Sequence, residues 1–321
     1  MKRRSLLAGA LLGALPLLAH AQPASFPSKP IRIVVPFAAG SGSDTGARVY
    51  GEILAKLVGQ PVLVENRPGA SGQIAIQAVK QAPADGYTIL LASNSPLTVN
   101  PVVMKNLPYD PFKDIRPLVG LGKGPAAFVV KGDSPYRTIQ DLVEAAKKEK
   151  RSLTVGNYSA GYQLVATWLG TASGASVTHV SYKGGAQMVN DVIAGQLELA
   201  ATDFGGVLQL LKDQRVRALA ITGDKRHPAY PDVPTMKESG FPDFESWVWT
   251  AFYVRAETSD EVTGKLADLM QQVLVSDKAK AYHATVTSEV MALRPDEMRR
   301  FQLSEYERFR RVAEAAGVKP Q

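Results

Sequence analysis

The side chains that most often do chemistry are sparse in this chain. Its 321 residues include no cysteine and four histidines. Without cysteine there is no disulfide, no thiolate metal site, no cysteine nucleophile and no lipid-anchored cysteine. His179 falls in an apolar stretch, His227 precedes a proline, and His283 lies in a C-terminal helical region. None has a second ligand at metal spacing. No G-x-S-x-G elbow presents a serine, and Gly40-Ser41-Gly42 lacks the third glycine of a dinucleotide fingerprint. The sequence therefore names no catalytic residue, no metal and no cofactor. It offers instead small, glycine-rich turns at the ends of apolar runs, which suit the holding of an anion.

The first such turn is Ala38-Ala39-Gly40-Ser41-Gly42-Ser43-Asp44, between the apolar run Ile31–Phe37 and a helix expected from about Thr45. A strand running through a small turn into a helix aims backbone N–H groups above the strand. The first N–H groups of a helix lack internal partners, and its dipole favours negative charge there. Phe37 to Ser41 would supply donors, and the small side chains permit close approach. Asp44 stands at or near the helix N-cap, where capping is its expected role. Ser159, Ala160 and Gly161 form an opposed turn before a helix expected near Leu164. Tyr158 and Tyr162 flank it as cleft walls or as plain packing. Asn94 and Ser95 follow the third strand. Asp203 ends a later strand and could accept from an α-amino group, the alternative being a solvated carboxylate. Lys183 reads as solvated, and Trp247 and Trp249 as core or hinge packing.

Strand and helix signals alternate from Ile31 to Ala92 in the order βαβαβ, which predicts a parallel sheet with helices on both faces. The same grammar restarts at Thr138 and runs to Thr222. Ser246–Val254 then reads as an apolar aromatic strand, and Asp260–Val275 and Pro295–Ala316 as amphipathic helices. About 300 residues exceed one comfortable core. The expected fold is α/β and two-lobed, each lobe a mostly parallel sheet flanked by helices. Residues 22–123 with 246–321 form one domain, and 124–245 are inserted as the second. The chain crosses near Gly120–Pro125 and near Phe244–Trp249. Ligands of open parallel sheets sit beyond the strands' carboxyl ends, so the site is the inter-lobe cleft and the crossings are hinges.

Residues 1–21 carry a basic start (Lys2, Arg3, Arg4), an apolar run from Leu6 to Leu18, and the small-x-small site Ala19-His20-Ala21. This is the pattern of a signal peptide cleaved after Ala21, too short to span a bilayer. Arg3-Arg4 leaves both general and twin-arginine export open. The expected location is periplasmic. The net charge is +7, or +4 without those three basic residues. The densest basic run, Lys147–Arg151, ends an expected helix and complements its dipole. No nucleic-acid surface is read from it. A mild positive balance steers small anions.

Landmarks in order along the chain carry a family resemblance. Lys29-Pro-Ile-Arg-Ile-Val-Val-Pro-Phe37 leads to Gly40 and Asp44. Val64-Glu-Asn-Arg-Pro-Gly-Ala-Ser-Gly72, Pro83-Ala-Asp-Gly-Tyr-Thr88, Asn94 and Asn100-Pro101 follow. His179-Val-Ser-Tyr-Lys-Gly-Gly185, Asn190-Asp191 with Gly195, and Asp232-Val-Pro-Thr235 before Gly240 complete the set. The chain resembles the Bug-type extracytoplasmic solute-binding proteins, receptors of tripartite tricarboxylate transporters, over nearly all of residues 27–318. The resemblance implies the type II periplasmic-binding-protein fold and a receptor whose Phe37–Gly40 turn anchors a ligand carboxylate; the expected state is a monomer. It implies delivery of the ligand to a membrane permease or to a sensor. Ligand classes are dicarboxylates, tricarboxylates, acidic amino acids and aromatic acids. Two departures bear on specificity. Ser41 replaces the second glycine of the family pair. The Tyr158–Leu164 loop is shorter than in the family, with Gln163 at a position where histidine is common. The rival reading from another class is a secreted hydrolase or transferase on the same fold.

Overall fold

The computed structural model describes residues 26–286 and 288–320. The expected signal peptide, residues 1–21, lies outside them. The first half of the chain builds β1 (Ile31–Val35), α1 (Gly42–Val58), β2 (Val62–Asn66), α2 (Gln73–Lys80) and β3 (Thr88–Ser93). A wide helical turn, Ser95–Val99, leads into the short α3 (Asn100–Val103), and the long β4 (Ile115–Lys131) follows. Next come α4 (Ile139–Lys148), β5 (Leu153–Asn157), α5 (Ala160–Ser173), β6 (Val177–Ser181), α6 (Gly185–Ile193), β7 (Leu199–Asp203), α7 (Leu208–Lys212) and β8 (Val216–Ile221). The chain ends with β9 (Trp247–Arg255), α8 (Asp260–Val275), α9 (Asp277–Thr285), β10 (Glu289–Val290) and α10 (Pro295–Ala315).

Two sheets result. The first runs β2-β1-β3-β9-β4, with β10 also on β4; the second runs through β4, β7, β5 and β6, with β8 on β4. Within the βαβ units the pairs β1–β2, β1–β3, β5–β6 and β5–β7 are parallel, as expected. The pairs made by β4 and β9 are antiparallel, so each sheet is mixed rather than mostly parallel. The reason is the connection itself: β4 leaves the first sheet and β9 returns to it, so they run in opposite directions. Residues up to Pro125 of β4 pair with β9, Ala126 to Val129 pair with β7, and Ala127 to Lys131 pair with β8 on the other edge.

Each sheet is packed on both faces. Ile33, Leu54, Ile89 and Leu266 fill one side of the first, and Val34, Ile76, Leu90 and Trp249 the other. The second has Phe128, Leu142, Leu169 and Leu199 on one side and Val129, Met188, Val192 and Phe204 on the other. A further apolar cluster joins the lobes: Ala160 and Leu164 of α5 pack against Val99 and against Phe309, Val312 and Ala313 of α10. Among the described residues no helix is long and apolar enough to cross a membrane.

Candidate functional site

The β1–α1 turn is built around its own helix cap. α1 begins at Gly42, earlier than the expected Thr45, because Ser41 takes the N-cap and accepts from the Asp44 N–H at 3.2 Å. Asp44 is thus the third helical residue and not the cap. Its carboxylate accepts from the Gly40 N–H at 2.9 Å, from Arg48, and from Asn66 Nδ2 at 2.9 Å. Burial alone would raise its pKa. The hydrogen bonds from Arg48, Gly40 and Asn66 outweigh that and hold it below the usual carboxylate value. Asn66 also donates to the Phe37 carbonyl at 3.0 Å, pinning both ends of the turn. The N–H expected to reach outward from Gly40 is therefore turned into the cap, and Ala39 and Gly40 are solvent-exposed.

Across the cleft, the head of α5 meets the end of β3. Ser95 Oγ accepts from the Gly161 N–H at 3.0 Å and donates to Ser159 Oγ at 2.9 Å. A Cβ at Gly161 would stand 2.6 Å from Ser95 Oγ, so only glycine allows this approach. Asn94 Nδ2 donates to the Trp247 carbonyl at 3.3 Å, tying β3 to the start of β9. The lobes touch again where Phe37 meets Tyr158 edge-on, ring centroids 6.3 Å apart.

That aromatic pair borders two cavities. The outer one, about 570 Å³, lies between the Gly69–Gly72 turn on one side and Asn157–Ala160 with Ser181–Lys183 on the other. Its walls carry no acidic side chain, and Lys183 is their single charged group. Asn157 is 2 % exposed, and its Nδ2 has no hydrogen-bond partner. Gly69, Ala70, Ser71 and Gly72 all have positive φ, winding a left-handed turn into the start of α2. Two helix starts and a lysine thus border one space with Asn157 in its wall, and the helix starts and the lysine favour an anion.

The inner cavity, about 160 Å³, is aromatic and is lined by one acid, Asp203, and one lysine, Lys123. Phe37, Tyr50, Tyr158, Tyr162 and Tyr282 line it with Ser41, Asn94, Ser95 and Asp203. Tyr158 Oη donates to Asp203 Oδ1 at 2.5 Å and lies 3.1 Å from Tyr162 Oη. Burial and the Asp203 charge raise both tyrosine pKa values well above normal, so both stay protonated. Tyr282, whose pKa burial pushes up to about 12, donates to the Gly42 carbonyl at 3.2 Å. Behind it, buried His283 has Nε2 3.0 Å from Tyr50 Oη and Nδ1 2.7 Å from Ser288 Oγ. Burial lowers its pKa.

Of the residues singled out from sequence, Phe37, Tyr158 and Ser159 border both cavities. Ser41, Asn94, Ser95 and Asp203 line the inner one, and Ala38 and Ala160 the outer one. Ala39, Gly40, Asp44 and Gly161 line neither. Sequence reasoning passed over Asn157, Tyr282 and the Gly69–Gly72 turn as contributors. The glycines at 69 and 72 were the available signal, since a glycine pair ahead of a helix marks special backbone geometry.

Residues 47–318 match the family model described as the tripartite tricarboxylate transporter family receptor. The chain is 31% identical over 299 residues to protein BugT of Bordetella pertussis, covering 92% of this chain and 91% of that one. Among solved structures, periplasmic binding protein BugD superposes with a TM-score of 0.86 at 30% identity, covering 92% of this chain and all of that one. Rpa4515 of R. palustris with adipate gives a TM-score of 0.88 at 30% identity, with the same coverage.

Proposed function

The chain belongs to the tripartite tricarboxylate transporter receptor family, and from that premise we propose that it is a periplasmic receptor capturing a small carboxylated solute between its lobes. The single observation that carries this is the outer cavity. It is bordered by two helix starts and a lysine, with Asn157 in its wall and no acid among its lining residues. A ligand carboxylate in this space is held at the helix starts beside Asn157 and Lys183. Phe37, Ala38, Tyr158, Ser159 and Ala160 then hold it from both sides. β4 near Pro125 and the start of β9 near Trp247 act as hinges. The loaded form docks on a permease of the tripartite tricarboxylate type or on a sensor. The structural neighbour carrying adipate supports a carboxylate ligand.

The rival reading is a secreted hydrolase or transferase. The Ser288–His283 pair on the inner wall is its best candidate. The third partner there is the Tyr50 hydroxyl rather than a carboxylate, and burial makes the imidazole a weaker base. Thermal melting at low salt across mono-, di- and tricarboxylates, amino acids, amines and amides tests the proposal. At a hundred times Kd a true ligand adds about 2.7 kcal/mol, a shift of several degrees. Carboxylates should shift the protein and neutral amides should not. A panel with no carboxylate response defeats the proposal, and mass spectrometry showing turnover of a bound acid would favour the rival.

A further inference from the structure

The inner cavity is lined by one acid and one lysine, and the acid says something about the far end of the ligand. Lys123 is engaged by Glu289 and the Trp247 ring, not by Asp203. Asp203 ends β7 with its carboxylate in the inner cavity, where Oδ1 accepts from Tyr158. Among the described residues no lysine, arginine or histidine forms an ion pair with it. Two glycines keep its other side clear: a Cβ at Gly206 would stand 2.4 Å from Oδ2, and one at Gly42 would stand 3.9 Å away. Tyr158, Tyr162 and Tyr282 all lie close enough to feel the Asp203 charge. An acid that accepts from a tyrosine hydroxyl and has no cationic partner in a tyrosine-lined cavity attracts positive charge. It is also a poor neighbour for a second carboxylate. Two like charges about 4 Å apart repel by roughly 4 kcal/mol at an effective dielectric constant near 20.

We propose that the ligand is zwitterionic. Its carboxylate lies in the outer cavity, and its cationic nitrogen, a primary ammonium or an N-methylated one, sits against Asp203 among the tyrosines. The inference rests on the carboxylate-receptor reading and adds the charge at the opposite end. Phe37 and Tyr158 border both cavities, so the molecule passes their edges with one end on each side.

Calorimetric titration of the full mature chain with matched series tests it. One series is the amino acids from glycine to 6-aminohexanoate with their N-trimethyl forms. The other is the dicarboxylates from malonate to adipate. At least one zwitterion should bind tenfold or more tightly than the dicarboxylate of equal length. Asp203→Asn, which keeps an oxygen for Tyr158, should weaken that zwitterion at least tenfold and bring the dicarboxylate level with it or ahead. Asn157→Leu should weaken both series. Dicarboxylates binding as tightly as their zwitterionic counterparts to the unaltered protein would overturn the inference. So would a zwitterion indifferent to Asp203→Asn. In either case continued sensitivity to Asn157→Leu would leave the carboxylate reading standing. If neither series binds, the zwitterion inference falls, and the mono- and tricarboxylate arms of the melting panel decide the carboxylate reading.

Discussion

Asp44 and Asn157 show how much one side chain's partners decide. Asp44 looks in the sequence like a helix cap or a ligand contact, yet its carboxylate is occupied by Gly40, Arg48 and Asn66. Its pKa is lower in the fold than in the unfolded chain. Its stabilisation is therefore complete above the ordinary aspartate pKa of about 4 and is lost as pH falls through the folded value. Asp44→Asn should cost about 1–2 kcal/mol at pH 7, and the gap to the unaltered protein should close on acidification below about pH 4. Urea unfolding at the two pH values reads this out, and a gap independent of pH would mean that the charge contributes nothing. Asn157 is the opposite case. Its Nδ2 is buried without a partner in the empty protein, a burden of about 1–3 kcal/mol. Asn157→Leu should raise the stability of the ligand-free protein by about 1 kcal/mol while weakening carboxylate binding about tenfold. Stability and affinity falling together would show that the amide is structural. No sequence pattern marks Asn157, since an asparagine ending a strand is unremarkable until its missing partner is seen in space.

Local signals located the regular elements well and the special backbone poorly. The βαβ units, the Thr138 capping box before α4 and the long α8 and α10 were legible because apolar periodicity and caps agree there. β4 was not. The stretch with Gly120 to Pro125 reads only as an inter-domain crossing, whereas a single strand runs through Pro117, Gly120, Gly122, Gly124 and Pro125 with two register shifts against β9. The start of α1 was misplaced because Ser41 outcompetes Asp44 for the cap. The turn that opens α2 carries a strain that only the backbone reveals. Ala70 and Ser71 hold φ of 45° and 49° between two glycines. The Gly72 N–H closes onto the Gly69 carbonyl at 3.0 Å, and Asn100 holds the Ser71 carbonyl. Gly72 has φ 93°, and a Cβ there would meet Pro96 at 3.0 Å and Pro36 at 3.3 Å. Gly40 has φ 81° with nothing in reach. Gly72→Ala should therefore cost 2 kcal/mol or more on the order expected for strain plus overpacking, and Gly40→Ala about 1 kcal/mol from strain alone. Denaturant melts that place the two variants together would show that the packing around Gly72 yields freely.

At the scale of the molecule, function depends on two lobes meeting, and the contacts between them are few enough to test singly. The apolar cluster of α5 with Val99 and α10 is broad and non-directional. Ser95 is different, because one hydroxyl serves the Gly161 N–H and Ser159 together. Both bonds run between the end of β3 and the head of α5, so an opening that parts those two elements breaks them and leaves water in their place. A contact made in one of two states shifts the balance by its net worth in that state. For a buried hydroxyl answering a helix N–H this is about 1–2 kcal/mol, or a factor of about 5–30 in the ratio of closed to open. Ser95→Ala should consequently enlarge the ligand-free radius of gyration in X-ray scattering. It should also weaken every ligand by one common factor, because apparent affinity scales with the competent fraction. The common factor separates this role from direct contact: a hydroxyl touching the ligand would weaken some ligands and spare others. An unchanged radius with unchanged affinities would assign closure to the apolar cluster instead, and Leu164→Ala would then be the variant that opens the cleft.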